Sequence, residues 1–227
     1  MLLPAMMSDA RMWRLHLEAF ALDRAVMVAP THAAAQVGEA AAQVLDAAPR
    51  RFALAGLGLG AVVAMEVMRR EPGRVTRAAL LAADALAETP AAAALREAAV
   101  VAARAGRMSQ VLRAVPGLVA PGIGPLRDEA LALARQMAED LGPETFVRQV
   151  RMLQRRPDQQ RTLRQFPGPV LLMVGDEDGT APRRHQDFLV SLVPGARLEV
   201  VPGAGHLLPV EAPGAVALAL DRWLRGG

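Results

Sequence analysis

Short, mostly apolar runs alternate with stretches of helical periodicity along most of this chain. Leu2-Leu3-Pro4-Ala5, Arg24 to Ala29, Arg51 to Ala55, Val75 to Ala83, Val170 to Val174 and Arg197 to Val201 read as strands. Most are apolar at successive positions, as strands buried on both faces are. Between them, Ser8 to Leu22, Ala34 to Ala48, Ala61 to Arg70, Pro182 to Leu192 and Pro213 to Leu224 repeat apolar residues at helical spacing. Ser8 or Asp9 can cap the first helix, whose stripe is Trp13, Leu17 and Phe20. Glu71-Pro72-Gly73 stops the third. Strand and helix in alternation predict an α/β fold: a mostly parallel sheet of about six strands with helices on both faces. From Ala87 to Leu163 the alternation lapses into an Ala-, Leu- and Arg-rich helical stretch, broken by Pro116, Pro121, Pro125 and Pro143. It is expected to be a helical cap (87–163) inserted into a core made of residues 1–86 and 164–227.

Composition narrows the picture. The chain has 227 residues, enough for one domain with a real core, and it has no cysteine. Disulfides, thiolate metal sites and a cysteine nucleophile are therefore excluded. No long uncharged apolar run and no secretory leader is visible, so no membrane partner and a cytoplasmic location are expected. The pI of about 10.9 suggests nucleic acid, but the formal charge is only +3. All 26 basic residues are arginine, Lys and Tyr are absent, and the arginines are interspersed with acids. The pI thus reflects arginine's high pKa, and no nucleic-acid partner is expected.

The turn Gly56-Leu57-Gly58-Leu59-Gly60-Ala61 joins a strand directly to a helix, and two templates fit it. As G-x-G-x-x-A it matches a dinucleotide fingerprint through Gly56, Gly58 and Ala61. The acidic residue that should follow on the next strand would be Asp84, which comes late. As G-x-S-x-G it matches a nucleophile elbow, except that the central residue is Gly58. Two later segments fit only the second template. Asp176 and Asp178 follow the strand ending at Val174, and His206 sits in a glycine-rich loop after the last strand. Turn, acid and histidine follow the order of the elbow enzymes.

On these segments the chain resembles the α/β-hydrolase fold family, and within it the small bacterial carboxylesterases, haloperoxidase-like enzymes and pimeloyl-carrier methyl ester esterases. Leu2 to Trp13, Ala64 to Val75, Met137 to Gly142 and the triplet Arg156-Pro157-Asp158 belong to the same likeness, which covers nearly the whole chain. The resemblance implies that His206 holds the catalytic-base position and Asp178 the acid position. Asp178 is favoured over Asp176 by its spacing from Gly175 and Pro182. It implies an oxyanion hole from the backbone amides of Leu59 and of Ala5 or Met6. It implies no cofactor and no metal, and a small ester or acyl compound as substrate or ligand. It also implies that the two N-terminal strands of longer relatives are absent.

The departure is Gly58 at the nucleophile position, with Leu57 and Leu59 beside it. Glycine carries no hydroxyl, so serine-type acyl transfer from this turn is expected to be impaired or lost. Three accounts stay open: a non-catalytic protein binding an acyl or apolar ligand, an enzyme in which His206 activates water or abstracts a proton, or a changed serine. The remaining serines are Ser8, Ser109 and Ser191. Ser8 reads most simply as a helix cap near the oxyanion loop, and Ser109, in the cap, could face the cleft; these two are the candidates for a displaced nucleophile. His32 could line a pocket mouth. His16 and His185 read as surface positions on helices. Met6, Met7, Met108, Met137 and Met152 read as core or pocket lining.

Overall fold

The computed structural model describes residues 1–122 and 124–226. Five parallel strands form one sheet in the order β1 (Leu2–Leu3), β2 (Phe52–Leu57), β3 (Val75–Leu81), β4 (Val170–Gly175) and β5 (Arg197–Val201). The sheet is one strand short of the six expected. Residues 24–29 do lie beside β1, but they pair through the single bridge Leu2–Val28 rather than as a strand. The reason is that β1 is only two residues long and offers little ladder to pair with.

Strand side chains point alternately to opposite faces. Leu54, Leu80 and Leu172 pack with α2 (Val37–Ala47), α3 (Leu59–Arg70) and α8 (Arg183–Leu192). Their neighbours Ala55, Leu57, Leu81, Leu171 and Met173 pack on the other face with Trp13, Phe20 and the C-terminal helix Pro213–Arg225. Helices thus cover both sides, and the apolar runs are continuous because each strand serves two cores.

The first predicted helix is divided, into a 3₁₀ turn Ala10–Trp13 and α1 (Arg14–Phe20). Asp9, not Ser8, caps it by accepting the Arg11 N–H at 2.9 Å. Ser8 Oγ instead donates to the Met6 carbonyl at 3.3 Å. His16 is not at the surface, as its helix position suggests, but fully buried between Trp13 and Phe20.

The stretch between β3 and β4 holds α4 (Pro90–Arg104), α5 (Met108–Val111), a 3₁₀ segment (Leu112–Leu118), α6 (Pro125–Gln154) and α7 (Gln160–Gln165). α6 breaks at Gly142, where φ is 73°. Val100 and Ala103 of α4 meet Ala138, Phe146 and Val150 of α6 in a small third core, joined by Met7. Met137 and Met152 are wholly buried. No helix among the described residues is long and apolar enough to cross a membrane.

Candidate active site

The glycine turn lies at the C-terminal end of β2, where open α/β sheets place their ligands. Chain crossing explains its composition. A Cβ at Gly60 would fall on the Leu3 carbonyl, and one at Gly56 on the Gly60 carbonyl. Residue 58 itself has φ 53° and ψ −111°, a strained region open chiefly to glycine. The backbone is held there by the Gly58 N–H donating to the Leu81 carbonyl at 3.0 Å. The Gly58 carbonyl in turn accepts from Ala61 and Val62 as α3 begins.

The β4 and β5 loops bring the acid and the histidine to this turn. Asp178 Oδ2 lies 2.9 Å from His206 Nδ1. Asp178 Oδ1 accepts the N–H groups of Thr180 at 2.8 Å and Ala181 at 2.9 Å. Burial alone would raise the Asp178 pKa. The His206 hydrogen bond and charge, with those two amides, outweigh it and hold the carboxyl below its ordinary value. An ionised Asp178 fixes the proton on Nδ1 and leaves a lone pair on Nε2. That nitrogen points at the turn, 3.0 Å from where a Cβ would stand on residue 58. Asp176 takes a different part: its carboxylate accepts the Gly203 N–H at 2.7 Å and ties the two loops together.

Glu211, which the sequence reading missed, holds the histidine loop. This buried carboxylate accepts the N–H groups of Leu207 at 2.7 Å, Gly205 at 2.8 Å and Ala120 at 2.8 Å. The His206 N–H donates to the Leu118 carbonyl at 2.9 Å. The loop is thereby stitched on both sides of His206 to residues 118–120. Gly205 is close to them too: a Cβ there would come within 2.8 Å of the Ala120 nitrogen. The available signal was a lone acid five residues beyond His206 in an otherwise apolar stretch.

Ala5, Met6, Gly58, Leu59 and His206 border a cavity of about 390 Å³. The Met7 N–H is taken by Gln149 Oε1 at 2.8 Å. Among the described residues the N–H groups of Ala5, Met6 and Leu59 have no protein acceptor. The loop is strained as well, since Met7 has φ 53°. Met6, Met7 and Met108 line the cavity, and most of its wall is apolar. Asp84 also borders it, but one carboxylate oxygen accepts the Leu86 N–H at 2.9 Å and the other pairs with Arg156 at 3.0 Å. Arg156 also binds Glu88 and the Leu86 carbonyl. Asp84 is therefore a turn former and ion-pair partner. Ser109 is exposed and outside the lining; His32, half-buried, is outside it too, and its carbonyl accepts from Arg148. His185 is half-buried on α8.

The sequence profile of the alpha/beta hydrolase family matches residues 1–220. The chain belongs to the alpha/beta hydrolase family. Among solved structures it is similar to a thermophilic esterase from Thermogutta terrifontis, with a TM-score of 0.89 and 23% identity over 99% of this chain and 88% of that one. It is similar to an enol-lactonase from Burkholderia xenovorans LB400, with a TM-score of 0.87 and 20% identity over 99% and 90%. These two likenesses bear on the fold alone. A hydrolase from Pseudomonas aeruginosa PA01 aligns at 25% identity over 100% of this chain and 90% of that one, with a TM-score of 0.80. Asp84, the acid that a dinucleotide fingerprint would need, is paired with Arg156.

Proposed function

We propose that this member of the family takes small ester or acyl compounds into the cavity beside Gly58 and has lost the covalent serine step. The observation that carries the reading is the aim of His206. Its Nε2 faces the side-chain position of a residue that has no side chain, at 3.0 Å from the Cβ site. Asp178 fixes the imidazole, and the N–H groups of Leu59 and of Ala5 or Met6 are free to donate to a carbonyl oxygen. In this reading 87–163 is the cap over an apolar pocket that holds the acyl part. Everything acyl transfer needs is then present except the hydroxyl, so no acyl-enzyme forms at this turn.

The test is Gly58→Ser. Restoring a hydroxyl should raise hydrolysis of p-nitrophenyl butyrate by roughly 10³-fold or more over the chain as it stands, and His206→Ala should remove the gain. Calorimetric titration of the unaltered chain with ethyl butyrate should show saturable binding. A folded Gly58→Ser protein with no gain, together with no ester binding, would overturn the reading. Saturable binding of NADH that is lost on Gly58→Val would favour the dinucleotide template instead.

A further inference from the structure

We infer that the chain, as it stands, hydrolyses activated acyl compounds directly with water, His206 acting as the general base. The inference rests on the reading of the cavity as an acyl site and adds a reaction to it. In a serine enzyme the hydroxyl receives the base's attention; here the base is built and held as carefully, and faces open space. The imidazole is oriented by Asp178, whose other oxygen is saturated by Thr180 and Ala181. Its loop is fixed by Glu211 and Leu118. Its free nitrogen borders the cavity next to Leu59, Ala5 and Met6. The same wall therefore carries a fixed base and backbone donors for a developing oxyanion.

The lack of a side chain at residue 58 leaves room for a water where a serine enzyme carries its own nucleophile. A Cβ would stand 3.0 Å from Nε2, in the approach a water needs to reach the base. Glycine leaves that approach open, and its φ of 53° keeps the turn in the shape that aims the Leu59 amide. Water bound to Nε2 attacks the acyl carbon. The new C–O bond forms as one water proton passes to Nε2 and the carbonyl electron pair moves onto oxygen, where the amides hold it. Collapse breaks the bond to the leaving group, which departs as phenolate or thiolate and takes the proton from Nε2 or from solvent. The products are a carboxylic acid and a phenol or thiol. With no covalent intermediate to divide the barrier, the substrates are those with a good leaving group: aryl esters and thioesters with an acyl chain that fits an apolar cavity.

The test compares the unaltered protein with His206→Gln and Gly58→Ala, using p-nitrophenyl butyrate and S-phenyl thiobutyrate. The unaltered chain should exceed His206→Gln by about 10²-fold, the range of a single general base. It should show a normal solvent deuterium isotope effect, and its intact mass should carry no acyl adduct during turnover. Gly58→Ala should lose activity to a similar degree while still binding ethyl butyrate. If the backbone strain unfolds that variant, His206→Gln and the mass measurement decide. Equal rates for the unaltered chain and His206→Gln, with ester binding intact, would overturn the water reaction and leave the acyl-site reading standing. A stoichiometric acyl adduct would overturn it by showing a side-chain nucleophile. Failure of both binding and hydrolysis would bring down the acyl-site reading and this inference together.

Discussion

Two histidines in this fold are almost removed from solvent, and their surroundings differ in every respect that matters. His16 is packed edge-on to Trp13, 5.5 Å between ring centroids, and against Phe20. Among the described residues neither of its ring nitrogens has a hydrogen-bond partner. Burial pulls its pKa down to about 4. His206 instead has an ionised carboxylate at one nitrogen and a cavity at the other. The first ring serves as a neutral packing piece. The second is held in one tautomer with a usable lone pair. Burial does not make a histidine chemical; a fixed charge partner on one side and open space on the other do.

The contrast can be broken most forcefully through acid. His16 has a folded pKa of about 4 against an ordinary 6.5, so the unfolded chain takes up its proton first. Stability should therefore fall as pH drops from 6.5 to about 4, by about 3 kcal/mol in all. His16→Leu should abolish that slope in urea melts run across this range. An unchanged slope would show that His16 is not the group responsible. Glu211→Gln should come next. It leaves one oxygen where two served three amides, and an orphaned buried donor costs roughly 1–3 kcal/mol. Hydrogen exchange at Ala120, Gly205 and Leu207 should quicken more than at β3 amides. Uniform quickening would mean global destabilisation without a local clamp.

Asp178 acts in a lower window. Its pKa is depressed, so its contribution is complete above the ordinary value of 3.8 and is lost as pH falls through the folded value. Asp178→Asn should flatten the stability curve only below about pH 4, which separates its effect from that of His16. His206→Ala should cost roughly 1–3 kcal/mol at pH 7, since it leaves one oxygen of the buried Asp178 carboxylate without its partner. A larger loss would assign His206 a structural part like that of His16.

Much of the site was legible because its signals are local. Gly56 and Gly60 mark a turn whose backbone passes against Leu3 and itself, and such crossings show in a sequence as small residues. Asp178 and His206 each follow a strand end, where the chain must turn and where sites form. Glu211 was not legible, because its three partners are backbone amides and any residue supplies those. His16 differs from its expected surface place, and its spacing, three residues after Trp13 and four before Phe20, does put it on their buried helical stripe. Residues 24–29 have the apolar run of a strand, but strand length depends on the neighbour, and β1 is too short to extend the pairing.

The sequence by itself determined the alternation of strand and helix, the tight turn at Gly56–Ala61, the order of turn, acid and histidine, and the absence of a hydroxyl at residue 58. These follow from hydrophobic period, glycine content and chain order, which act over a few residues at a time. Only the tertiary structure decided that Asp176 ties the two loops together through Gly203, and that Nε2 lies 3.0 Å from the Cβ position of residue 58. It alone decided that residues 118–120 are tied to the histidine loop through Glu211, and that Ser109 stands outside the cavity. Such facts depend on contacts between segments tens of residues apart. Their distances are set by how the sheet, the loops and the helical stretch pack together, and no local pattern encodes that packing.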